Sequence, residues 1–289
     1  MVKQILRTSS IIIIGLLLLN GKDNSYKVDA KYIENSVTKI KDNLYAGKYE
    51  VSNALYNLFF LDLFMKNRTE DMKICTIDSN GWVTDKNHTN QPLVELYHRH
   101  PEYYEYPVVN ISYEAANLFC AWLTDKYNSF PKRKFKKVTF RLPTEEEWMY
   151  AAHAGHPEYK FANGDTVRTN KGVMMYNFNT VKYLEKMGYS KKNIKYDSEH
   201  AYMYDNWDML APCKSYFPND FGLYNMSGNA AEMVSVKGIA KGGSFTDGEA
   251  SLRIDNHISY DKSACNIGFR YFMEMVKMEN GKDYPVIKQ

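Results

Sequence analysis

The chain is poor in cysteine and has no closely paired cysteines. Only four cysteines, Cys75, Cys120, Cys213 and Cys265, occur in 289 residues, and none of them forms a CxxC pair. Cys120 shares a predicted helical face with apolar residues, which indicates a buried thiol that packs as a small hydrophobe. For Cys75, Cys213 and Cys265 the sequence leaves both a free thiol and a disulfide open.

A strong excess of charge is also absent. The formal net charge is only +3, which is too small to favour nucleic acid as a partner. The one basic run, residues 132–137, precedes a predicted strand. We interpret it as a solvated loop, with nucleic-acid contact as the weaker alternative.

Long apolar runs are lacking except near the N-terminus. Residues 11–19 form a run of nine that follows Lys3 and Arg7. This is about half the length of a membrane-spanning helix, and its positive flank is typical of an export signal. Residues 1–21 are therefore predicted to be a signal peptide or an N-terminal anchor. We expect an exported protein of the periplasm, the cell envelope or the medium, with membrane contact only through this segment.

Tyrosine, in contrast, is abundant. The chain has 24 tyrosines, 44% apolar and 25% charged residues, which places it in the globular class. Tyrosine has an apolar ring and a polar hydroxyl, so it suits loop-rich cores and binding surfaces. The simplest organisation is a linker over residues 22–42, one domain over residues 43–277 and a tail over residues 278–289.

Capping residues mark the predicted helices. Ser52 precedes an apolar helix over residues 53–64, and Ser112 precedes a helix over residues 113–124. A third helix begins at a capping box, because Thr144 is followed three residues later by glutamate. Two strand-like runs accompany these helices, and the chain beyond them is rich in turn residues. The pattern predicts an α+β domain with much irregular chain.

Several segments recur in a characteristic order. They are GKYEVSN at residues 47–53, RLPTEEEW at 141–148, GLYNMSGN at 222–229, KGGS at 241–244 and NIGFR at 266–270. Together they resemble the formylglycine-generating enzyme, or sulfatase-modifying factor, family over roughly residues 43–275. The resemblance implies a C-type-lectin-like α+β domain with a small twisted antiparallel sheet, two or three helices and extensive loops.

The resemblance implies a calcium site in the loop that follows the GLYNMSGN segment. Its ligands would be the side chains of Asn225 and Glu232 and the carbonyls of Met226, Gly228 and Ala230. Calcium takes about 6–8 oxygen ligands, which turn carbonyls and a carboxylate can supply. The alternative is that Asn225 and Glu232 only hydrogen-bond loop amides. Calcium here would be structural.

A second structural calcium site is implied less tightly. It would use the side chains of Asn177 and Asp205 together with the carbonyls of Phe178 and Trp207. Oxygen ligands of this kind again suit a hard cation.

The copper chemistry of the family is expected to be missing. The family enzymes oxidise a sulfatase cysteine to formylglycine with Cu(I), held by two thiolates, and molecular oxygen. The matching positions fall near Leu252 and at Asn256 or His257. Since Cu(I) requires soft sulfur ligands, copper is not expected, and no catalytic residue is assigned.

We therefore predict a non-catalytic, exported binding or scaffold protein with protein partners in the cell envelope. Residues 100–103 and 106–109 are similar to fold relatives in gliding-motility and type IX secretion machinery. One alternative is a metal-dependent oxidase of the formylglycine-generating type with a rearranged site at His257 or Cys265. Another is a peptide or glycan binder that uses a tyrosine-rich groove.

Overall fold

The computed structural model describes residues 28–83, 91–186, 188 and 209–276. Seven helices lie in these ranges: α1 Ala30–Asn35, α2 Asn53–Met65, α3 Thr69–Ile74, α4 Gln91–Leu96, α5 Tyr113–Ser129, α6 Glu145–His153 and α7 Thr180–Lys186. The expected export segment and C-terminal tail lie outside the described residues. Within those residues, no helix has both the length and the apolar character needed to cross a membrane.

Within the described residues, eight strands form two four-stranded sheets. They are β1 Val37–Lys39, β2 Leu44–Gly47, β3 Val138–Arg141, β4 Ala231–Met233, β5 Ile239–Lys241, β6 Ile258–Ser259, β7 Ile267–Gly268 and β8 Phe272–Met275. The first sheet has the order β1-β2-β8-β3 and is antiparallel, with Leu44 opposite Glu274 and Val138 opposite Met275. The second has the order β6-β5-β4-β7.

The α+β domain with a small antiparallel sheet, predicted from the sequence, is confirmed. The described residues add a second sheet, in which β4 pairs with β7 in parallel, with Ala231 opposite Ile267. A parallel pair needs a long crossover connection. Here the chain between β4 and β7 makes that crossover and contributes β5 and β6 on the way.

The expected linker over residues 22–42 is wrong in its second half. Residues 30–39 form α1 and β1, and β1 pairs with β2 through Val37 opposite Gly47. Asp29 caps α1 by accepting a hydrogen bond from Tyr32 N at 2.9 Å. Ile33 is buried in the main core. A few apolar residues in a polar segment are enough to bury it once a sheet edge is available.

The helix starts are confirmed. Ser52 and Ser112 each accept a hydrogen bond from the backbone N–H three residues later, at 3.3 and 3.1 Å. At α6, Thr144 and Glu147 form the reciprocal capping box, with bonds of 3.1 and 2.9 Å. Helix α5 runs beyond the predicted end because Tyr127, near its C-terminus, is fully buried. Three of the described helices exceed eight residues, and α3 and α4 have six residues each.

Two apolar cores meet beside β4. The larger one is centred on Phe119, whose ring lies 5.5 Å from that of Phe59 and 5.3 Å from that of Phe269. The smaller one is centred on Trp148, the first buried residue of α6. Strand β4 supplies Ala231 to the larger core, and the loop before it supplies residues to the smaller one. The polar groups of this loop are therefore enclosed between the cores.

Candidate functional site

The loop from Asn225 to Glu232 has a tightly turned backbone. Asn225 and Asn229 have φ angles of 54° and 66°, in the left-handed region that asparagine tolerates. Gly228, with φ 81°, lies so close to Asn177 that a Cβ would come within 2.4 Å of the Asn177 carbonyl oxygen. Only glycine fits at this position. The close contact joins the loop to the segment around Asn177.

A buried carboxyl group, Glu50, organises the loop from the opposite side. One of its oxygens accepts from Asn229 Nδ2 at 2.9 Å and from Ala230 N at 3.2 Å. The other accepts from Asn225 Nδ2 at 2.8 Å and also from Asn229 Nδ2, at 3.1 Å. Glu50 lies more than 170 residues before this loop, so these bonds tie the two ends of the domain together.

Asn229 extends the network to a third segment. Its Oδ1 accepts from Asn177 Nδ2 at 3.0 Å and from Ala211 N at 2.8 Å. Asn177 Nδ2 also donates to the carbonyl of Met209 at 2.9 Å. The Asn177 Oδ1 atom, however, is buried and has no hydrogen-bond partner in the described part of the chain. An unpaired buried carbonyl oxygen is costly, so it is a suitable place for a cation.

Glu232 and Arg270 form a buried ion pair next to this network. Arg270 Nε and Nη2 donate to separate oxygens of Glu232 at 2.6 and 2.5 Å. Trp148 Nε1 donates to Glu232 Oε2 at 2.7 Å. Arg270 also donates to the carbonyls of Gly47 and Tyr224, at 3.0 and 2.7 Å. One arginine thus connects β4, the end of β2 and the loop at Tyr224.

Burial acts on the charged groups of Glu50 and Arg270. It raises the pKa of Glu50 from 4.5 to about 8, with a further contribution from the charge on Glu232. Burial opposes the charge on Arg270 as well, but the Glu232 carboxylate outweighs this, and the pKa of Arg270 is raised. The stable arrangement is one ion pair, Glu232 with Arg270, beside a carboxyl group held by amide donors.

The residues predicted to bind the first calcium do lie together in one loop. Both oxygens of Glu232 are nevertheless engaged by Arg270 and Trp148, and the Asn225 amide donates to Glu50. This arrangement is close to the alternative prediction, in which Asn225 and Glu232 only form hydrogen bonds. Their partners, however, are largely side chains and not the loop amides of that alternative. The donor set does not fit a cation well, because Glu232 would have to leave Arg270 to bind it. Calcium here stays a prediction.

The second predicted calcium site is only partly visible. Asn177 and Phe178 are both buried beside the loop, and Asn177 has the unpaired oxygen described above. Asp205 and Trp207 lie outside the described residues. Among the residues that are described, no group of three or more histidine, cysteine, aspartate or glutamate side chains could hold a metal.

Leu252, which stands at the position predicted for the first copper ligand, lies in the smaller core. Leu252 ends a short 3₁₀ helix, Glu249–Leu252, and is fully buried beside Ile254. Its carbonyl accepts from Ser227 Oγ at 3.0 Å. The close approach of Gly243 explains why this loop packs so tightly, because a Cβ there would lie 2.7 Å from the Ser251 carbonyl oxygen. The side chain here contributes packing and no ligand atom.

The position predicted for the second copper ligand, Asn256 or His257, lies at the surface. Asn256 is partly exposed, and the His257 side chain is 51% exposed. His257 Nδ1 lies 3.9 Å from Glu145 Oε2, and the same oxygen lies 3.8 Å from the Nζ of buried Lys241. Lys241 competes with any metal ion for the Glu145 carboxylate, which does not favour metal binding at His257.

All four cysteines are free and buried. This answers the question that the sequence left open for three of them and confirms the buried thiol predicted for Cys120. Burial raises the pKa of every thiol, that of Cys75 to about 12. Cys265 packs in an apolar cluster with Trp82 and Tyr97. These thiols are therefore poor sources of the thiolate that soft metals bind.

A polar cluster that includes Ser244 of the KGGS segment was not predicted from the sequence. Ser244 is fully buried, and its hydroxyl donates to Asp247 Oδ2. Asn266 Nδ2 donates to Ser244 Oγ at 3.1 Å and to Thr246 Oγ1 at 3.1 Å. The role of Glu50 in holding the loop was not predicted either. The available signal for Glu50 was a single carboxylate in a strand-like run whose other residues are mostly apolar.

The chain matches a known family of proteins. The family model described as sulfatase-modifying factor enzyme 1-like domain matches residues 9–275. The inactive C-alpha-formylglycine-generating enzyme 2 of Bos taurus is 26% identical over 182 residues, which cover 57% of this chain and 50% of that protein. The formylglycine-generating enzyme of Mus musculus is 24% identical over 240 residues, covering 76% and 56%.

One solved structure supports the fold. CarF superposes with a TM-score of 0.50 at 20% identity, covering 83% of this chain and 93% of that one. The chain spans about half the length of the curated relatives it matches. Some of those relatives are named as enzymes and others as inactive, so the family alone does not decide activity. Because the family model matches most of its length, the protein belongs to the sulfatase-modifying factor family and has the α+β fold of formylglycine-generating enzymes.

Proposed function

We propose that this protein is a non-catalytic member of its family that acts by binding other molecules in the cell envelope. The observation that carries the proposal is Leu252, a fully buried aliphatic side chain at a position where the chemistry requires a thiolate. Relatives named as inactive formylglycine-generating enzymes add support, because the family tolerates loss of activity.

The thiols support the same proposal. Each cysteine is buried with a raised pKa, and none forms a pair with another described cysteine. An oxidase with a site rearranged around His257 or Cys265 would need further ligands near one of them. No described cluster supplies these, so we do not favour that function.

The test is copper binding combined with oxygen consumption. The full chain would be titrated with Cu(I) under a competing chelator, and oxygen uptake would be followed over a peptide with the sulfatase cysteine motif. We expect no stoichiometric copper and no turnover. Stoichiometric binding of copper together with thiol-dependent oxygen uptake would refute the proposal of a non-catalytic protein.

Calcium is proposed as a structural cofactor at the Asn177 site. Asn177 would contribute its unpaired Oδ1 and Phe178 its carbonyl oxygen, and calcium would hold their segment to its neighbours. The Asn225 loop is the less favoured site because Glu232 already pairs with Arg270.

Export and envelope partners complete the proposal. The support is the charged and apolar pattern of residues 1–21 and the similarity of residues 100–103 and 106–109 to gliding-motility and type IX secretion proteins. Cell fractionation of the full chain and of a chain without residues 1–21 tests this. We expect only the full chain in the envelope or periplasmic fraction, and equal distribution of the two would contradict export.

A further inference from the structure

Two small cavities adjoin each other between α1 and α2. One has a volume of about 120 Å³ and the other about 180 Å³. Both are lined by Tyr32, Ser52, Leu55 and Glu105, so they form one branched cleft, which we call the Tyr32 cleft. Among the described residues, none of those predicted to bind calcium or to replace a copper ligand lines it.

The two branches differ in chemistry. The first contains hydroxyl groups, among them Tyr271 and Ser36, whose oxygens are hydrogen-bonded at 2.7 Å, and it reaches the buried Glu50. The second is lined mainly by aliphatic side chains, including Ala54 and Leu58. A ligand that occupies both needs a polar end and an apolar end.

Residues of opposite charge line the polar branch. Glu105 and Lys214 both line it, and both are exposed residues. Their backbones are joined because Cys213 N donates to the Glu105 carbonyl at 2.8 Å. A carboxylate and an ammonium group are therefore carried by adjoining segments that line the same branch.

This combination matches one class of small molecule. In a free α-amino acid, an ammonium and a carboxylate group flank a single carbon that carries the side chain. We propose that the Tyr32 cleft binds a free α-amino acid with an apolar side chain. Glu105 holds the ammonium group, Lys214 holds the carboxylate, and the side chain enters the aliphatic branch. Such binding goes beyond the scaffold function proposed above and does not depend on it.

L-Leucine is a suitable probe, since its side chain is aliphatic and unbranched at Cβ. Isothermal titration calorimetry of the full chain would compare it with N-acetyl-L-leucine, which lacks the ammonium group, and with 3-methylbutylamine, which lacks the carboxylate. We expect a dissociation constant for L-leucine below about 1 mM. Both analogues should bind at least about tenfold more weakly, because each loses a charged hydrogen bond.

Surface variants make the test independent of folding. Lys214→Met and Glu105→Gln should each weaken L-leucine binding by about tenfold or more. Lys262→Met and Asp261→Asn alter exposed charges of another loop and should leave binding unchanged. Absence of saturable binding of L-leucine, L-valine, L-methionine and L-phenylalanine would overturn the proposal. Equal affinity for L-leucine and its N-acetyl derivative, or unchanged binding in Lys214→Met, would overturn it as well.

Discussion

Arg270 donates to both carboxylate oxygens of Glu232, at 2.6 and 2.5 Å, and both side chains are almost completely buried. Removing one partner of such a pair leaves the other charge buried without compensation. We expect Arg270→Met to lower the free energy of unfolding by about 3–5 kcal/mol. Urea denaturation measures this loss.

The control for that variant is an exposed ion pair. Lys237 and Glu114 form one with a distance of 2.5 Å. Lys237→Met should cost about 1 kcal/mol or less, because water screens exposed charges. Equal losses in the two variants would mean that burial does not determine the importance of the Arg270 pair.

Gly228 and Gly222 allow backbone strain to be separated from crowding. Their φ angles, 81° and 76°, are similar, but a Cβ at Gly222 meets no atom within 4 Å. Gly222→Ala should therefore cost only the strain of a left-handed alanine, about 1–2 kcal/mol. Gly228→Ala should cost clearly more, since its Cβ would overlap the Asn177 carbonyl oxygen. Similar melting temperatures for the two variants would argue against close packing of the loop.

Glu147 makes stability depend on pH. A hydrogen bond from Arg141 holds the pKa of Glu147 below its ordinary value of 4.5. Its contribution is present above that value and is lost as the pH falls, because the unfolded chain then binds a proton that the folded chain resists. The free energy of unfolding should therefore fall more steeply in the wild type than in Glu147→Gln as the pH falls below about 4.5. Parallel curves would exclude this role.

The thiols should be unreactive in the folded protein. All four cysteines are buried with raised pKa values, so neither access nor thiolate is available. Ellman's reagent should label none of them in the native state and four after denaturation. Rapid labelling of native protein would show that a thiol is exposed, and Cys265→Ser would then identify whether it is Cys265.

Calcium should stabilise the protein through Asn177. Ligand binding to the folded state raises the melting temperature by mass action. We expect chelation to lower the melting temperature of the wild type and added calcium to restore it. Asn177→Ala should abolish this response, Asn177→Asp should keep it, and Asn225→Ala should also keep it. A wild type that does not respond to chelation would exclude both predicted calcium sites.

Local chemistry was sufficient to predict much of the framework. The Ser52 and Ser112 caps and the capping box of α6 depend on residues within one helical turn, so the sequence displays them directly. The buried thiol of Cys120 followed from helical periodicity in the same way. The parallel pairing of β4 with β7 could not be predicted from the sequence, because it joins residues more than thirty positions apart.

The candidate site shows the same division. The sequence by itself determined the family, through ordered motifs, and it predicts the loss of the copper thiolates from residue identity at Leu252. Only the tertiary structure decided how Glu50, Asn229 and Arg270 are used, because their partners lie between 18 and 223 residues away. Residue identity specifies what a group can bond to, whereas burial and proximity, which arise only on folding, decide the group to which it does bond.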